Sequence, residues 1–162
     1  MSGLDKSKLV AALVAQAEQH LETLLRSAAS ARENATHEEA RPENEYDTRG
    51  LEASYLAGAQ AARAEQIRAE ISALRQLPIR AWKKGEAIGP GALFELEDDD
   101  GKRGLYFLAL GRGTTLSIGG KSVQVLTPAS PLGRELLGKG AGDSVEIEVR
   151  GSSRGYAIEK VS

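Results

Sequence analysis

The chain has 162 residues, 41% hydrophobic but only 4% aromatic, with 21 Lys and Arg against 23 Asp and Glu for a net charge of −2. It has no cysteine and only two histidines, which excludes disulfides, thiolate catalysis and cysteine zinc sites and leaves little for a histidine metal centre. Near-neutral charge argues against a broad basic face for nucleic acid, so any such contact is local or passes through a partner.

The N-terminus MSGLDKSKLV lacks the basic and apolar regions of a signal peptide, and no run of 18 apolar residues occurs. A cytoplasmic protein with no membrane partner is expected. Residues 4 to 36 place Val10, Leu13 or Val14, Ala17, Leu21, Leu24, Ala28, Ala31 and Ala35 at alternating three- and four-residue steps, the seam of a first helix. Back from Leu74, the same steps pass through Ile71, Ile67, Ala64, Gln60, Ala57, Ala53, Gly50 and Tyr46, with Gln60 and Gly50 as weak points. This predicts a second helix from Pro42 to Leu77: proline suits a first helical position, Glu43 and Glu45 favour the positive helix end, and Pro78 stops the run. Two helices of nearly equal length joined by THEEA (36 to 40) predict an antiparallel coiled-coil hairpin, each arm about 50 Å long at about 1.5 Å per residue. Its large seam residues lie toward the base and its alanines toward the turn, so the turn end buries less apolar area. An intramolecular hairpin predicts a monomer, while the same seam is also able to pair between chains.

From residue 79 the period falls to two, with candidate strands ALFELE (92 to 97), GLYFLAL (104 to 110), KSVQVL (121 to 126), SVEIEV (144 to 149) and GYAIEKV (155 to 161). Between the third and fourth of these, Ser130 can cap a short helix that begins at Pro131 and ends at Gly138. DDDG (98 to 101) reads as a hairpin turn rather than a metal cluster, and the glycines at 111 to 113 and 119 to 120 read as loops. The fold class is α+β: residues 1–77 form the coiled-coil hairpin and residues 79–162 a small β-rich domain with one short helix.

No nucleophile elbow, catalytic triad or dinucleotide fingerprint is present, and His20 and His37 read as solvated surface residues. The turn region stands out by charge. Residues 33 to 52 carry Glu33, Glu38, Glu39, Glu43, Glu45, Asp47 and Glu52 against Arg41 and Arg49, seven acids to two bases and a local net charge of −5. Composition alone makes this a solvated turn.

A second stretch changes that reading. SPLGRELLGKGAGDSVEI, residues 130 to 147, resembles the C-terminal signature of the bacterial GreA and GreB transcript-cleavage factors. That signature runs Ser-Pro-(Ile/Leu)-(Ala/Gly)-Arg-x-Leu-(Ile/Leu)-Gly-Lys, then a Gly/Asp turn and a valine-rich strand. The resemblance implies an N-terminal coiled coil followed by an FKBP-like domain, in the order read above. It also implies a factor that is not itself an enzyme: it docks at the secondary channel of RNA polymerase, here through Ser130, Pro131, Leu132, Gly133 and Arg134. Nucleic acid is then met only through the polymerase.

The family tip motif, Asp-x-x-Glu-Asn-Ala-Glu-Tyr, is similar to Glu43-Asn44-Glu45-Tyr46, which is one residue shorter and has Ala40 three residues before Glu43. LEASY (51 to 55) offers a second register, with Asp47 and Glu52 as the nearby acids. The first register keeps the arms equal, and makes Glu43, Glu45 and Asp47 the expected ligands of a Mg²⁺ shared with the polymerase active centre, with no tightly bound cofactor. Oxygen ligands suit Mg²⁺, and a two-metal site activates water and stabilises the leaving oxygen. Three alternatives stay open: a channel-binding regulator or inhibitor of polymerase without cleavage activity, an FKBP-like prolyl isomerase with a pocket drawn from Trp82, Phe94, Tyr106, Phe107 and Tyr156, and a plain coiled-coil scaffold whose acidic turn does nothing. A hairpin regulator anchored by a cysteine zinc finger is excluded by composition.

Overall fold

The computed structural model describes residues 4–36 and 49–162. Helix α1 spans Lys6–Thr36 and α2 spans Arg49–Arg75. Six strands follow: β1 (Leu93–Asp98), β2 (Arg103–Leu108), β3 (Thr114–Ile118), β4 (Lys121–Leu126), β5 (Ser144–Val149) and β6 (Ser152–Val161), with the short helix α3 (Pro131–Leu136) between β4 and β5. This is the expected α+β order. The start expected for helix two, residues 42 to 48, lies outside the described residues.

The expected seam on α2 is buried at Ala64, Ile67, Ile71 and Leu74, the three- and four-residue steps read from the sequence. Its weak point behaves as one: the side-chain oxygen of Gln60 is buried with no hydrogen-bond partner among the described residues. On α1, Leu9, Val10 and Leu13 are buried, while Val14, Ala17, Leu21 and Leu24 are only partly covered. Past Arg75, Leu77 N–H still donates to the Leu74 carbonyl at 3.2 Å before Pro78 ends the run.

The sheet order is β3-β4-β2-β1-β6-β5. All neighbours are antiparallel except β2 and β4, which run parallel with Leu105 opposite Val123 and Leu108 opposite Leu126. The acidic stretch 98 to 101 is a hairpin turn: Gly101 N–H donates to the Asp98 carbonyl at 3.0 Å, and the Asp98 carboxylate accepts from the N–H groups of Asp100 and Lys102. Strand β3 is an addition to the sequence reading. Its partner is β4, and the turn between them is Gly119-Gly120, at φ 59° and 77°, a pair that only glycine adopts without strain.

Register assigns the side chains to two faces. Phe94, Leu96, Leu108, Leu126 and Ile158 share one face, buried with Leu132 and Leu136 of α3, Ile88 and Val145. Phe94 stacks on Tyr106 with ring centroids 6.0 Å apart. Leu93, Phe107, Val123, Val125 and Leu116 fall on the opposite face and are just as buried. A doubly buried sheet needs cover on both sides.

The chain divides into two compact units, one made of Met1–Leu13 with Ala73–Ser162 and the other of Val14–Ser72. The sheet unit therefore includes the first turns of α1 and the last of α2. Leu9, Val10, Leu13, Leu74 and Leu77 are the buried aliphatic side chains that this unit has in addition to its sheet, α3 and the loops. No helix among the described residues is long and apolar enough to cross a membrane.

Candidate functional site

Residues 130 to 134 build the start of α3, and the structure gives each a distinct place. Ser130 is the N-cap at φ −69° and ψ 153°; its Oγ accepts from Gly133 N–H at 3.1 Å and donates to the Thr127 carbonyl at 2.7 Å. Pro131 occupies the first helical position, where a missing N–H costs nothing. Leu132 is buried in the core beside Leu136. Gly133 is buried too: a Cβ there would stand 1.9 Å from the Thr127 carbonyl oxygen. Only Pro131 and Arg134 remain exposed, three residues apart on one side of the helix. The Arg134 guanidinium reaches back to the Ala129 carbonyl at 3.2 Å.

The rest of the signature is equally structural. Gly138 N–H donates to the Ile88 carbonyl at 3.1 Å and Ile88 N–H to the Lys139 carbonyl at 2.7 Å, tying the end of α3 to the segment that leads into β1. The Asp143 carboxylate accepts from Gly140 N–H at 2.8 Å and closes the turn before β5. The motif thus folds a capped helix and a turn onto the sheet, leaving Pro131, Arg134, Glu135, Leu137 and Lys139 facing solvent.

Glu43, Glu45 and Asp47 lie outside the described residues, as does His37. His20 is partly covered on α1, and among the described residues no group of three His, Asp or Glu is placed to hold a metal ion. Of the five aromatic residues named above, Trp82, Tyr106 and Tyr156 pack against the core cluster that contains Phe94. Phe94 and Phe107 are fully buried on opposite sheet faces.

A second cluster was not singled out from the sequence. Trp82, the one tryptophan, has the Lys6 ammonium 4.3 Å and the Arg80 guanidinium 4.1 Å from its ring centroid. Its indole N–H donates to the Ala87 carbonyl at 2.9 Å. Lys6 donates to the Arg80 carbonyl at 2.8 Å, and burial with the neighbouring Arg80 charge lowers its pKa to about 8. Both Glu86 oxygens accept from the Arg80 guanidinium, and one also takes Lys83 N–H at 2.9 Å. The Arg80 hydrogen bonds, then that N–H, pull the Glu86 pKa down to about 2. The alternation of cations around a lone Trp in RAWKKGE was the available signal.

Comparison with known proteins gives the chain its relatives. A family model described as "Transcription elongation factor, GreA/GreB, C-term" matches residues 83–162, the span from Lys83 through α3 to the last strand. The transcription elongation factor GreA of Jannaschia sp. (strain CCS1) is 30% identical over 139 residues, which cover 86% of this chain and 81% of that protein. The chain belongs to the GreA/GreB family. It is a GreA/GreB-like transcription elongation factor, and the capped motif at Ser130 falls inside the matched span. Among solved structures, the GreA factor homologue Gfh1 of Thermus thermophilus is 24% identical, with 92% of this chain and 94% of that one covered at a TM-score of 0.39. Gfh1 of Thermus aquaticus is 21% identical, with 96% and 92% covered at 0.40. At such TM-scores the fold is described by its own helices and strands.

Proposed function

We propose that this GreA/GreB-family chain is an accessory factor that binds RNA polymerase at its secondary channel and brings the acidic residues between α1 and α2 to the polymerase active centre. The observation that carries the reading is the division of labour within the signature. Ser130, Leu132 and Gly133 hold α3 to the sheet, while Pro131 and Arg134 stay exposed, which gives a rigid, folded surface with one guanidinium to offer. Arginine suits such a surface because its planar donors match carboxylates in a fixed geometry.

Glu43, Glu45 and Asp47 are the leading acidic groups. A Mg²⁺ shared with the polymerase would activate water for hydrolysis of the transcript in a backtracked complex. What this chain adds is oxygen ligands and negative charge, so it is not an enzyme alone and needs no tightly bound cofactor of its own. It acts as a monomer in the cytoplasm, where the polymerase works, without a membrane partner.

Ala40, where the family motif has an aspartate, favours a second reading: a regulator that enters the channel and slows polymerase without cutting the transcript. One assay separates the two. With a backtracked elongation complex and Mg²⁺, the factor should accelerate release of a 3′ transcript fragment, and the triple variant Glu43→Gln, Glu45→Gln, Asp47→Asn should return release to background. Slowed elongation with no fragment supports the second reading. No effect on either rate, together with no binding to core polymerase at micromolar concentration, contradicts both.

A further inference from the structure

Beside the sheet, Arg80, Lys83, Lys84, Gly85 and Glu86 line an open cleft of about 580 Å³. It is formed by a tight turn: Glu86 N–H donates to the Lys83 carbonyl at 3.0 Å, with Gly85 at φ 82°. The cleft holds three cations and one carboxylate in a protein whose net charge is −2. That carboxylate is already engaged, with both oxygens on Arg80 and one also on the Lys83 N–H. The Lys83 and Lys84 side chains are exposed, and among the described residues neither ammonium donates a hydrogen bond or forms an ion pair. On the far side of the turn the backbone is tied down, with Ile88 N–H donating to the Lys139 carbonyl at 2.7 Å and Gly140 against the Glu86 carbonyl, where a Cβ would stand 3.7 Å away.

We infer that this cleft binds phosphate groups, with Lys83 and Lys84 as the contacting cations and Arg80 held in place behind them. The Arg80–Glu86 pair fixes the turn and cancels the one charge that would repel an anion. What is left is two ammonium groups on adjacent residues of a pinned turn. Lysine ammoniums act as point charges, which suits phosphates on a flexible or varied ligand more than a single bidentate geometry. Trp82 is occupied by Lys6 and Arg80, so the site has no free ring on which to stack a base. Recognition is therefore of phosphate rather than nucleobase, and sequence-independent. The inference stands apart from the polymerase reading, since the cleft does not include Pro131, Arg134 or the acidic residues.

Two sources carry that chemistry, a free polyphosphate and a nucleic-acid backbone. The test titrates the full-length protein with sodium tripolyphosphate by calorimetry, and with a labelled single-stranded oligonucleotide of mixed sequence by fluorescence anisotropy. Sodium sulfate at matched ionic strength and a polyglutamate of equal charge serve as controls. Saturable binding of either phosphate probe, weakened about tenfold or more in Lys83→Ala/Lys84→Ala and falling steeply with salt, is the expected result. Tripolyphosphate alone binding identifies a small-molecule site, and tighter oligonucleotide binding identifies a backbone site. The inference is overturned by absence of saturation with both probes, by unchanged binding in the double variant whose circular dichroism matches wild type, or by polyglutamate or sulfate binding as tightly.

Discussion

The sheet unit and the helical unit are built on different densities of apolar contact. Residues 73 to 162 with the start of α1 bury Phe94, Phe107, Leu93, Leu96, Leu108 and Leu136 at 0–1% exposure, on both faces of one sheet. Among the described residues of the helical unit, only Ala64, Ile67 and Ile71 belong to the buried core, and Gln60 leaves an unsatisfied oxygen in the same seam. Half-covered leucines such as Leu21 and Leu24 do the remaining work. The difference teaches where each kind of change is tolerated: the sheet unit is a fixed platform, and the helical arm a lightly stabilised one in which small gains and losses are felt locally.

The largest expected effect is in the platform. Phe94→Ala empties the centre of the sheet core and should cost about 3–5 kcal/mol, read as a shift in urea midpoint at unchanged slope. Ile67→Ala should cost about 2–3 kcal/mol. Its signature is locality: amide exchange speeds up along α2 and leaves β1, β2 and β6 protected. Uniform acceleration across both units would break the comparison. Gln60→Leu replaces the unsatisfied oxygen with apolar surface and should stabilise the arm by about 1 kcal/mol, visible as slower exchange in α2. A destabilising outcome would mean that the seam tolerates no branched side chain there.

The smallest effect is one of pH. Glu86 titrates at about 2 in the folded protein against an ordinary 4.5, so the stability it contributes is complete above pH 4.5 and is lost as pH falls toward 2. Glu86→Gln should flatten the acid-induced loss of stability in that window. An unchanged acid limb would show that the Arg80–Glu86 pair adds nothing to the platform.

Much of this was legible in the sequence, for identifiable reasons. The α2 seam follows from side-chain spacing, and the cap at Ser130 follows from Ser-Pro before an apolar pair, because local hydrogen bonding decides both. Strand β3 was not read because TTLSI is short and its glycines were assigned to loops; Gly-Gly between Leu116-x-Ile118 and Val123-x-Val125 carried the hairpin signal. The longer reach of β6, from Ser152, depends on the turn at Arg150 and Gly151, both at positive φ. In the Lys6–Trp82–Arg80–Glu86 cluster, three members lie in RAWKKGE, but Lys6 reaches them from 74 residues away, and periodicity has no access to such a contact. The signature pointed to residues 130 to 134 as one docking set; the structure separates those that hold the fold from those that face outward.

That separation makes the central claim measurable. If Arg134 is the docking guanidinium proposed above, affinity for core RNA polymerase should fall about tenfold or more in Arg134→Glu, with the melting temperature unchanged, since Arg134 is exposed and its replacement leaves the core untouched. Equal affinity of Arg134→Glu and wild type, with both folded, would contradict the claim that α3 of the sheet unit is the surface by which this factor holds the polymerase.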